Sequence, residues 1–150
     1  MEVSDLISVL EKYAGPELQE DYDNAGLITG TKDLDCTGVL CCLDVNREVL
    51  QEAISNHCNL IVAHHPIIFR GLKKINGKNY VERAVITAVK NDVAIYAIHT
   101  NLDNVLEGVN GKIASLLGLR NNSTLSQKDG TLKKLFTFVP IDQAKKVRDA

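Results

Sequence analysis

The chain has 150 residues, a net charge of −2 and a pI of about 6.1. This balance gives no general electrostatic field for nucleic acid or for a membrane surface, so neither is an expected partner. No apolar stretch approaches the ~20 residues that span a bilayer, and the amino terminus lacks the basic start of a signal peptide. The four cysteines form no CxxC pair, which favours core packing in a reducing compartment. We therefore expect a soluble cytoplasmic protein.

Helical and strand patterns alternate along the first 120 residues. The predicted order is helix 4–14, strand 26–29, strand 38–43, a helix capped by Asn46, strand 60–63, helix 80–90, strand 93–98 and helix 108–117. The apolar runs 60–63 and 93–98 lack polar alternation, which is typical of parallel strands covered on both faces. The last helix is expected to end at Gly118 and to turn four apolar residues inward: Val109, Ile113, Leu116 and Leu117. This order predicts an α/β fold with a mainly parallel sheet flanked by helices.

The carboxyl-terminal residues differ in character from the rest. Residues 1–120 form one predicted domain, and 121–130 form a polar, turn-rich linker. Within 131–150 we predict a strand over 132–140 and a helix that begins at 143. Two isolated elements of this kind cannot form a core alone.

Two adjacent histidines follow one of the apolar strands. His64 and His65 come directly after the run 60–63 and precede Pro66, which has no N–H for a sheet ladder and therefore ends the strand. Ligands of open α/β sheets bind at the carboxyl ends of the strands. For the His-His-Pro sequence alone, a pair of hydrogen-bonded histidines without a ligand is the favoured interpretation, and a metal site is the alternative.

A second strand end changes this balance. His99 and Asp103 follow the run 93–98, so their side chains are expected at the same edge of the sheet. Imidazole suits zinc, iron and manganese, and a carboxylate such as Asp103 can bridge two ions about 3.5–4 Å apart. Adjacent histidines chelate a single ion poorly, so one imidazole for each metal is the more natural arrangement. The sequence therefore predicts a metal site here.

Four blocks of the sequence resemble one known family in order and near spacing. They are Asp23-Asn24-Ala25-Gly26-Leu27, Cys42-Leu43-Asp44, His64-His65-Pro66-Ile67-Ile68-Phe69 and His99-Thr100-Asn101-Leu102-Asp103. This pattern is similar to that of the GTP cyclohydrolase 1 type 2 homologs, also called Nif-three-like proteins, over residues 1–120. The chain departs from the family at Tyr22, where tryptophan is usual. It also lacks the family's histidine and glutamate ligands near the carboxyl terminus.

The resemblance implies a Nif-three-like fold of which this chain is the amino-terminal portion. Residues 131–150 would be the first strand and helix of an inserted α/β domain, truncated here. The implied ligands of two divalent ions (zinc, iron or manganese) are His64, His65 and Asp103. The implied function is metal-dependent hydrolysis, as in GTP ring opening, of a small phosphorylated or nucleotide substrate by a homo-oligomer, a hexamer at full length. The alternative is a metal-handling or regulatory oligomer without catalysis.

Several neighbouring residues have open roles. Asp44 either orients a metal-bound histidine or caps the following helix. His99 can ligate a metal, but the resemblance favours a hydrogen-bonding or proton-transfer role for it. Asp23 and Asn24 either cap the turn before Gly26 or contact the substrate.

A basic loop follows the two histidines. The favoured interpretation is an ordinary solvated loop, because charge runs usually face solvent. The alternative is that Arg70, Lys73 and Lys74, with Lys78 nearby, hold an anionic or phosphorylated substrate by charge-assisted hydrogen bonds.

Overall fold

The computed structural model describes residues 1–124 and 136–149. Within these residues, four strands form one sheet: β1 (Gly26–Thr29), β2 (Val39–Cys42), β3 (Leu60–Ala63) and β4 (Ala94–Ala97). Their order is β1-β4-β3-β2, so β2 lies at one edge of the sheet. The strands β2, β3 and β4 run parallel, and β1 is antiparallel to β4. The predicted α/β fold with a mainly parallel sheet is confirmed.

Six α-helices accompany the sheet in the described residues. They are α1 (Val3–Tyr13), α2 (Arg47–Ser55), α3 (Tyr80–Lys90), α4 (Thr100–Asp103), α5 (Val109–Leu116) and α6 (Ala144–Arg148). Asn46 caps α2, because its side chain accepts a hydrogen bond of 2.8 Å from the backbone N–H of Val49. The one-turn helix α4 is absent from the sequence prediction. No helix of the described residues has both the length and the apolar character needed to cross a membrane.

Both faces of the sheet are covered. Successive residues of a strand point to opposite faces, so Ile61 packs in the cluster with Leu50 of α2, whereas Leu60 packs in the cluster with Ile7 of α1. All four side chains are almost completely buried. Burial of a side chain of this size contributes about 1.5–3 kcal/mol. Coverage on two sides explains why the apolar runs of the sequence show no polar alternation.

The predicted inward face of α5 is wrong in the described structure. Ile113 is 50% exposed, Leu116 is 75% exposed and Leu117 is 69% exposed. The main contacts of α5 with another described element are those with α4. Periodicity identified the helix correctly, but it could not supply the surface against which the apolar residues would pack.

The carboxyl-terminal prediction is resolved in part. Residues 125–135 and 150 lie outside the described part of the chain, and with them residues 125–130 of the predicted linker and the start of the strand 132–140. Residues 136–140 join no strand of the described sheet, which corrects the second half of that strand prediction. Phe138 is fully exposed there, as expected for a segment without a pairing partner. The helix predicted from 143 appears as α6. The domain boundaries at 120 and 130 stay a prediction.

A buried amide fixes the backbone that follows β4. Asn101 is 2% exposed. Its Nδ2 donates to the carbonyl oxygen of Ala14 (2.8 Å), and its Oδ1 accepts from the backbone N–H of His99 (2.9 Å). The end of α1 and the segment that carries His99 are thereby held together.

We predict that Asn101→Ala lowers the free energy of unfolding, because it leaves a buried carbonyl and a buried N–H without partners. The expected loss is on the order of 1–3 kcal/mol for each unpaired group. Urea unfolding followed by circular dichroism measures it. Asn91→Ala is the matched control, since that amide is exposed at the end of α3 and should change stability by less than about 1 kcal/mol. Equal losses in the two variants would contradict the assignment.

Candidate metal centre

The parallel register of the sheet brings the strand ends together. Ala63 of β3 pairs with Ala97 of β4, so the residues that follow both strands emerge at the same edge. The ladder continues past the strands, because the backbone N–H of Ile98 donates to the carbonyl of Ala63 at 2.9 Å. His64 and His99 therefore start from backbone positions that hydrogen bonds fix.

Three imidazoles converge at this edge. One ring nitrogen from each of His64, His65 and His99 lies within 4.8 Å of the other two. The ring centroids are 5.0 Å apart for His64 and His65, 5.3 Å for His64 and His99, and 5.5 Å for His65 and His99. The side chains of His64 and His99 are 19% and 18% exposed, and that of His65 is 45% exposed. The cluster is thus half-buried and open to solvent on the side of His65.

Hydrogen bonds at Nδ1 orient the two adjacent histidines. Nδ1 of His64 lies 3.0 Å from the carbonyl oxygen of Ile98, and Nδ1 of His65 lies 2.8 Å from Oδ1 of Asp44. A carbonyl and a carboxylate only accept hydrogen bonds, so each Nδ1 must carry the proton. The neutral imidazole then has its lone pair on Nε2, which is the form that binds a metal.

Asp23 orients the third histidine in the same way. Its side chain is fully buried, and its Oδ1 lies 2.7 Å from Nδ1 of His99. The carboxylate also accepts from the backbone N–H of Asn24 (2.6 Å) and from both the hydroxyl and the backbone N–H of Thr100. Burial would raise the pKa of Asp23, but the hydrogen bonds from Thr100, His99 and Asn24 together hold that pKa below its ordinary value. Asp23 is therefore a buried carboxylate that directs Nε2 of His99 outward.

Sequence reasoning missed this role of Asp23. The sequence predicts for Asp23, as for Asn24, only a turn cap or a substrate contact. It lies 76 positions from His99, so no local spacing relates the two residues. The resemblance block that begins at Asp23 carried a signal, but it did not name the partner.

Asp103 stands beside the three imidazoles. Its Oδ1 lies 3.8 Å from Nε2 of His64, a distance too long for a hydrogen bond. Two atoms that bind the same ion, each about 2.0–2.2 Å from it, lie nearly as far apart as these two atoms do. The short helix α4 brings this carboxylate back toward the edge of the sheet.

The structure also places Asp44 and Asn24. The carboxylate of Asp44 contacts Nδ1 of His65 and so orients this ring. The cap of α2 is the neighbouring Asn46 and not Asp44. Nδ2 of Asn24 donates to the carbonyl oxygen of Ile68 at 2.6 Å. This bond ties the turn before β1 to the segment that follows the histidines.

The basic loop is exposed but anchored at its far end. Arg70, Lys73 and Lys74 all lie on the surface. The buried side chain of Glu82 accepts from the backbone N–H of Asn76 (3.2 Å) and of Lys78 (2.8 Å). The described contacts do not bring the three cations into the imidazole cluster.

We predict that Asp23→Asn flattens the acid side of the stability curve. Because the native pKa of Asp23 lies below its ordinary value of 3.8, its contribution is complete above that pH and is lost as the pH falls through the lowered native pKa. Urea unfolding at steps below about pH 4 measures this slope. Asp33→Asn, at an exposed carboxylate, is the control. A variant at position 23 with the parent's slope would contradict the role of this carboxylate.

Comparison with known proteins identifies the family of this chain. The sequence profile of a family described as Duf34/NIF3 (NGG1p interacting factor 3) matches residues 1–148. A Clostridium acetobutylicum protein named "GTP cyclohydrolase 1 type 2 homolog" is 34% identical over 134 residues, which are 89% of this chain and 50% of that protein. A Staphylococcus aureus protein of the same name is 36% identical over 151 residues, covering 99% of this chain and 40% of that protein.

A solved structure supports the same family. The crystal structure of a Bacillus cereus protein related to NIF3 superposes with a TM-score of 0.83 at 34% identity, over 99% of this chain and 42% of that one. The chain thus spans about half, or less, of the length of these relatives. By its sequence profile and its fold, the chain belongs to the Duf34/NIF3 family.

Proposed function

We propose that this chain contributes the metal-binding part of a dinuclear, metal-dependent hydrolase that acts on a small phosphorylated or nucleotide substrate. The observation that carries the proposal is the convergence of three imidazoles and the Asp103 carboxylate at one edge of the sheet. The name "GTP cyclohydrolase 1 type 2 homolog", which relatives carry, supports hydrolysis of a nucleotide.

The donor atoms fit transition ions. Neutral imidazole with a carboxylate suits zinc, iron or manganese better than magnesium or calcium, which prefer all-oxygen sites. His64, His65 and Asp103 would hold the two ions, and three protein ligands leave positions open for water and substrate. When bound, two such ions lower the pKa of water and stabilise the negative charge that develops during hydrolysis.

The protein's own groups prepare the site. Asp44 and Asp23 fix the ring orientation of His65 and His99, so neither ring must reorient when a ligand arrives. Phe69 lies edge-on to His99 with ring centroids 6.3 Å apart, and its ring is 49% exposed. An exposed aromatic surface beside the imidazoles suits the planar base of a nucleotide.

The basic loop supplies the anion-binding part of the proposal. Arg70, Lys73 and Lys74 follow the histidines by a few residues, and their charges are free to meet a phosphate in solvent. A phosphate held by this loop would bring the rest of the substrate toward the imidazoles. The anchoring of the loop by Glu82 limits how far the cations can move.

We predict that anion binding and metal binding are separable. Lys73→Ala/Lys74→Ala should weaken GTP affinity by roughly 10- to 100-fold for each lost charge-assisted contact and leave the metal content intact. His65→Asp should lower the metal content first, with GTP hydrolysis falling as a consequence. Metal stoichiometry, GTP titration and a hydrolysis assay on the metal-loaded chain measure the three properties.

Lys145→Ala/Lys146→Ala is the matched control, since it removes the same charge from an exposed pair on α6. If the variants at 73/74 and at 145/146 bind GTP equally well, the basic loop is a solvated surface and the phosphorylated-substrate proposal fails. Metal binding without any hydrolysis would instead favour a metal-handling or regulatory protein.

We also propose that the full-length protein is a closed homo-oligomer, a hexamer by resemblance. The exposed apolar side chains of α5 support this, because a surface of that kind is stabilised by burial against further protein. Light scattering of the full-length protein at micromolar concentration is expected to give a multimer. A monomeric mass would contradict the proposal.

A further inference from the structure

We infer that Glu82 is a positioning residue for anion binding by the basic loop. Its carboxylate holds the far end of the loop, residues 76–78, and thereby keeps Lys73 and Lys74 where one phosphate meets both. The inference rests on the proposed function, because it concerns the same loop and the same substrate anion. It adds a residue that does not touch the substrate but determines how tightly the loop binds it.

The carboxylate of Glu82 binds the backbone of the loop. Glu82 is 7% exposed. Its Oε1 accepts from Nδ2 of Asn79 (2.8 Å) at the cap of α3, whereas its Oε2 accepts from the backbone N–H groups of Asn76 (3.2 Å) and Lys78 (2.8 Å). Backbone N–H groups that converge on one anion form a nest, and Gly77 between them has the positive φ of 79° typical of such a turn. One oxygen thus serves the helix, and the other holds the loop.

Arg83 holds the same turn through its carbonyl groups. Its Nη1 donates to the carbonyl oxygens of Gly77 (3.1 Å) and Lys78 (3.3 Å). Glu82 and Arg83 are neighbours in the first turn of α3, so donors and acceptors of the turn are bound to one helix. The far end of the loop therefore keeps a fixed position relative to the sheet on which α3 packs.

The cations lie in a part of the loop that has no such support. Within residues 1–124 and 136–149, residues 70–75 form no hydrogen bond. Lys73 and Lys74 precede Asn76 by three and two positions, so their Cα atoms stay within about 11 Å and 7 Å of that anchored residue. The near end of the loop, held at Ile68, is five or more positions away. The far anchor therefore restricts these two lysines more than the near one does.

Two effects of Glu82 on anion binding oppose each other. Its negative charge repels a phosphate, so removal of the charge alone would strengthen anion binding. Its anchoring of the loop spares an ordering cost, since fixing the backbone of one residue at binding costs roughly 5- to 30-fold in affinity. Solvent screens the charge, because the loop and its cations are exposed. We therefore expect the anchoring effect to be the larger one.

GTP titration of the chain, with its metal content held constant, tests the inference by the direction of the change. Glu82→Ala should weaken GTP binding by about 10-fold, although it removes a negative charge. Glu82→Gln keeps an acceptor for both loop N–H groups and should bind within about threefold of the parent. Glu48→Ala is the matched control and should bind like the parent, since Glu48 is an exposed carboxylate in the first turn of the asparagine-capped helix α2. Equal losses in the two variants at position 82 would overturn the inference.

A double-mutant cycle separates positioning from general destabilisation. If Glu82 acts through the two lysines, adding Glu82→Ala to Lys73→Ala/Lys74→Ala should cause no further loss of GTP affinity. Additive losses overturn the inference. Parental affinity in Glu82→Ala, with weak binding by the lysine pair variant, overturns it too and leaves the proposed function intact. Parental affinity in the lysine pair variant overturns both.

Gly77→Ala gives an independent measurement if Glu82→Ala fails to fold. It strains the anchored turn at its positive φ and removes no charge, so it should weaken GTP binding by about fivefold or more. Gly71→Ala is the control, because a Cβ at that position meets no atom within 4 Å and the residue lacks a positive φ. Equal GTP affinities of the two glycine variants overturn the inference.

Discussion

The in-register parallel pairing of β2, β3 and β4 is the constraint on which the candidate site depends. Cys42, Ala63 and Ala97 lie side by side in neighbouring strands, so the chain leaves all three strands at one edge. Four side chains of the site come within two positions of these strand ends: Asp44, His64, His65 and His99. A slip of one residue in either pairing would turn His64 or His99 to the opposite face of the sheet. The buried clusters on both faces oppose such a slip, because it would expose apolar side chains.

The site itself consists of two sets of polar groups. The three imidazoles form the first set. The second set is the carbonyl and carboxylate oxygens that accept hydrogen bonds from their Nδ1 atoms. Burying the carboxylate of Asp23 carries a desolvation cost, which its hydrogen bonds from His99, Thr100 and Asn24 offset. The charge of Asp23 is thus kept away from solvent, whereas the carboxylate of Asp44 is 66% exposed beside His65.

Local sequence patterns predicted most of the fold. The strand β3 and the helices α2 and α3 follow from apolar runs, periodicity and asparagine caps, all of which act within a few residues. The meeting of His64, His65 and His99 followed from the same logic, since neighbouring strand ends share an edge. Which atoms they bind remains a prediction.

Features that depend on distant residues were not predictable. The pairing of Asp23 with His99 joins a turn before β1 to the end of β4, and no periodicity encodes such a contact. The exposed side of α5 was predicted as buried because amphipathicity indicates a preference for burial and not the identity of a partner. The one-turn helix α4 is too short for any periodic signal and is set by its contacts with the first part of the chain.

Because β2 lies at the edge of the sheet, the sheet can be extended by a further strand on that side. One side of β2 pairs with β3, and in the described residues its other side has no strand beside it. An additional strand could extend the sheet there, and Val39 and Leu43, which are 42% and 60% exposed, would gain cover. If that strand ran parallel to β2, its final residues would emerge next to Asp44. A parallel strand added on this side would therefore deliver new side chains to the rim of the histidine cluster.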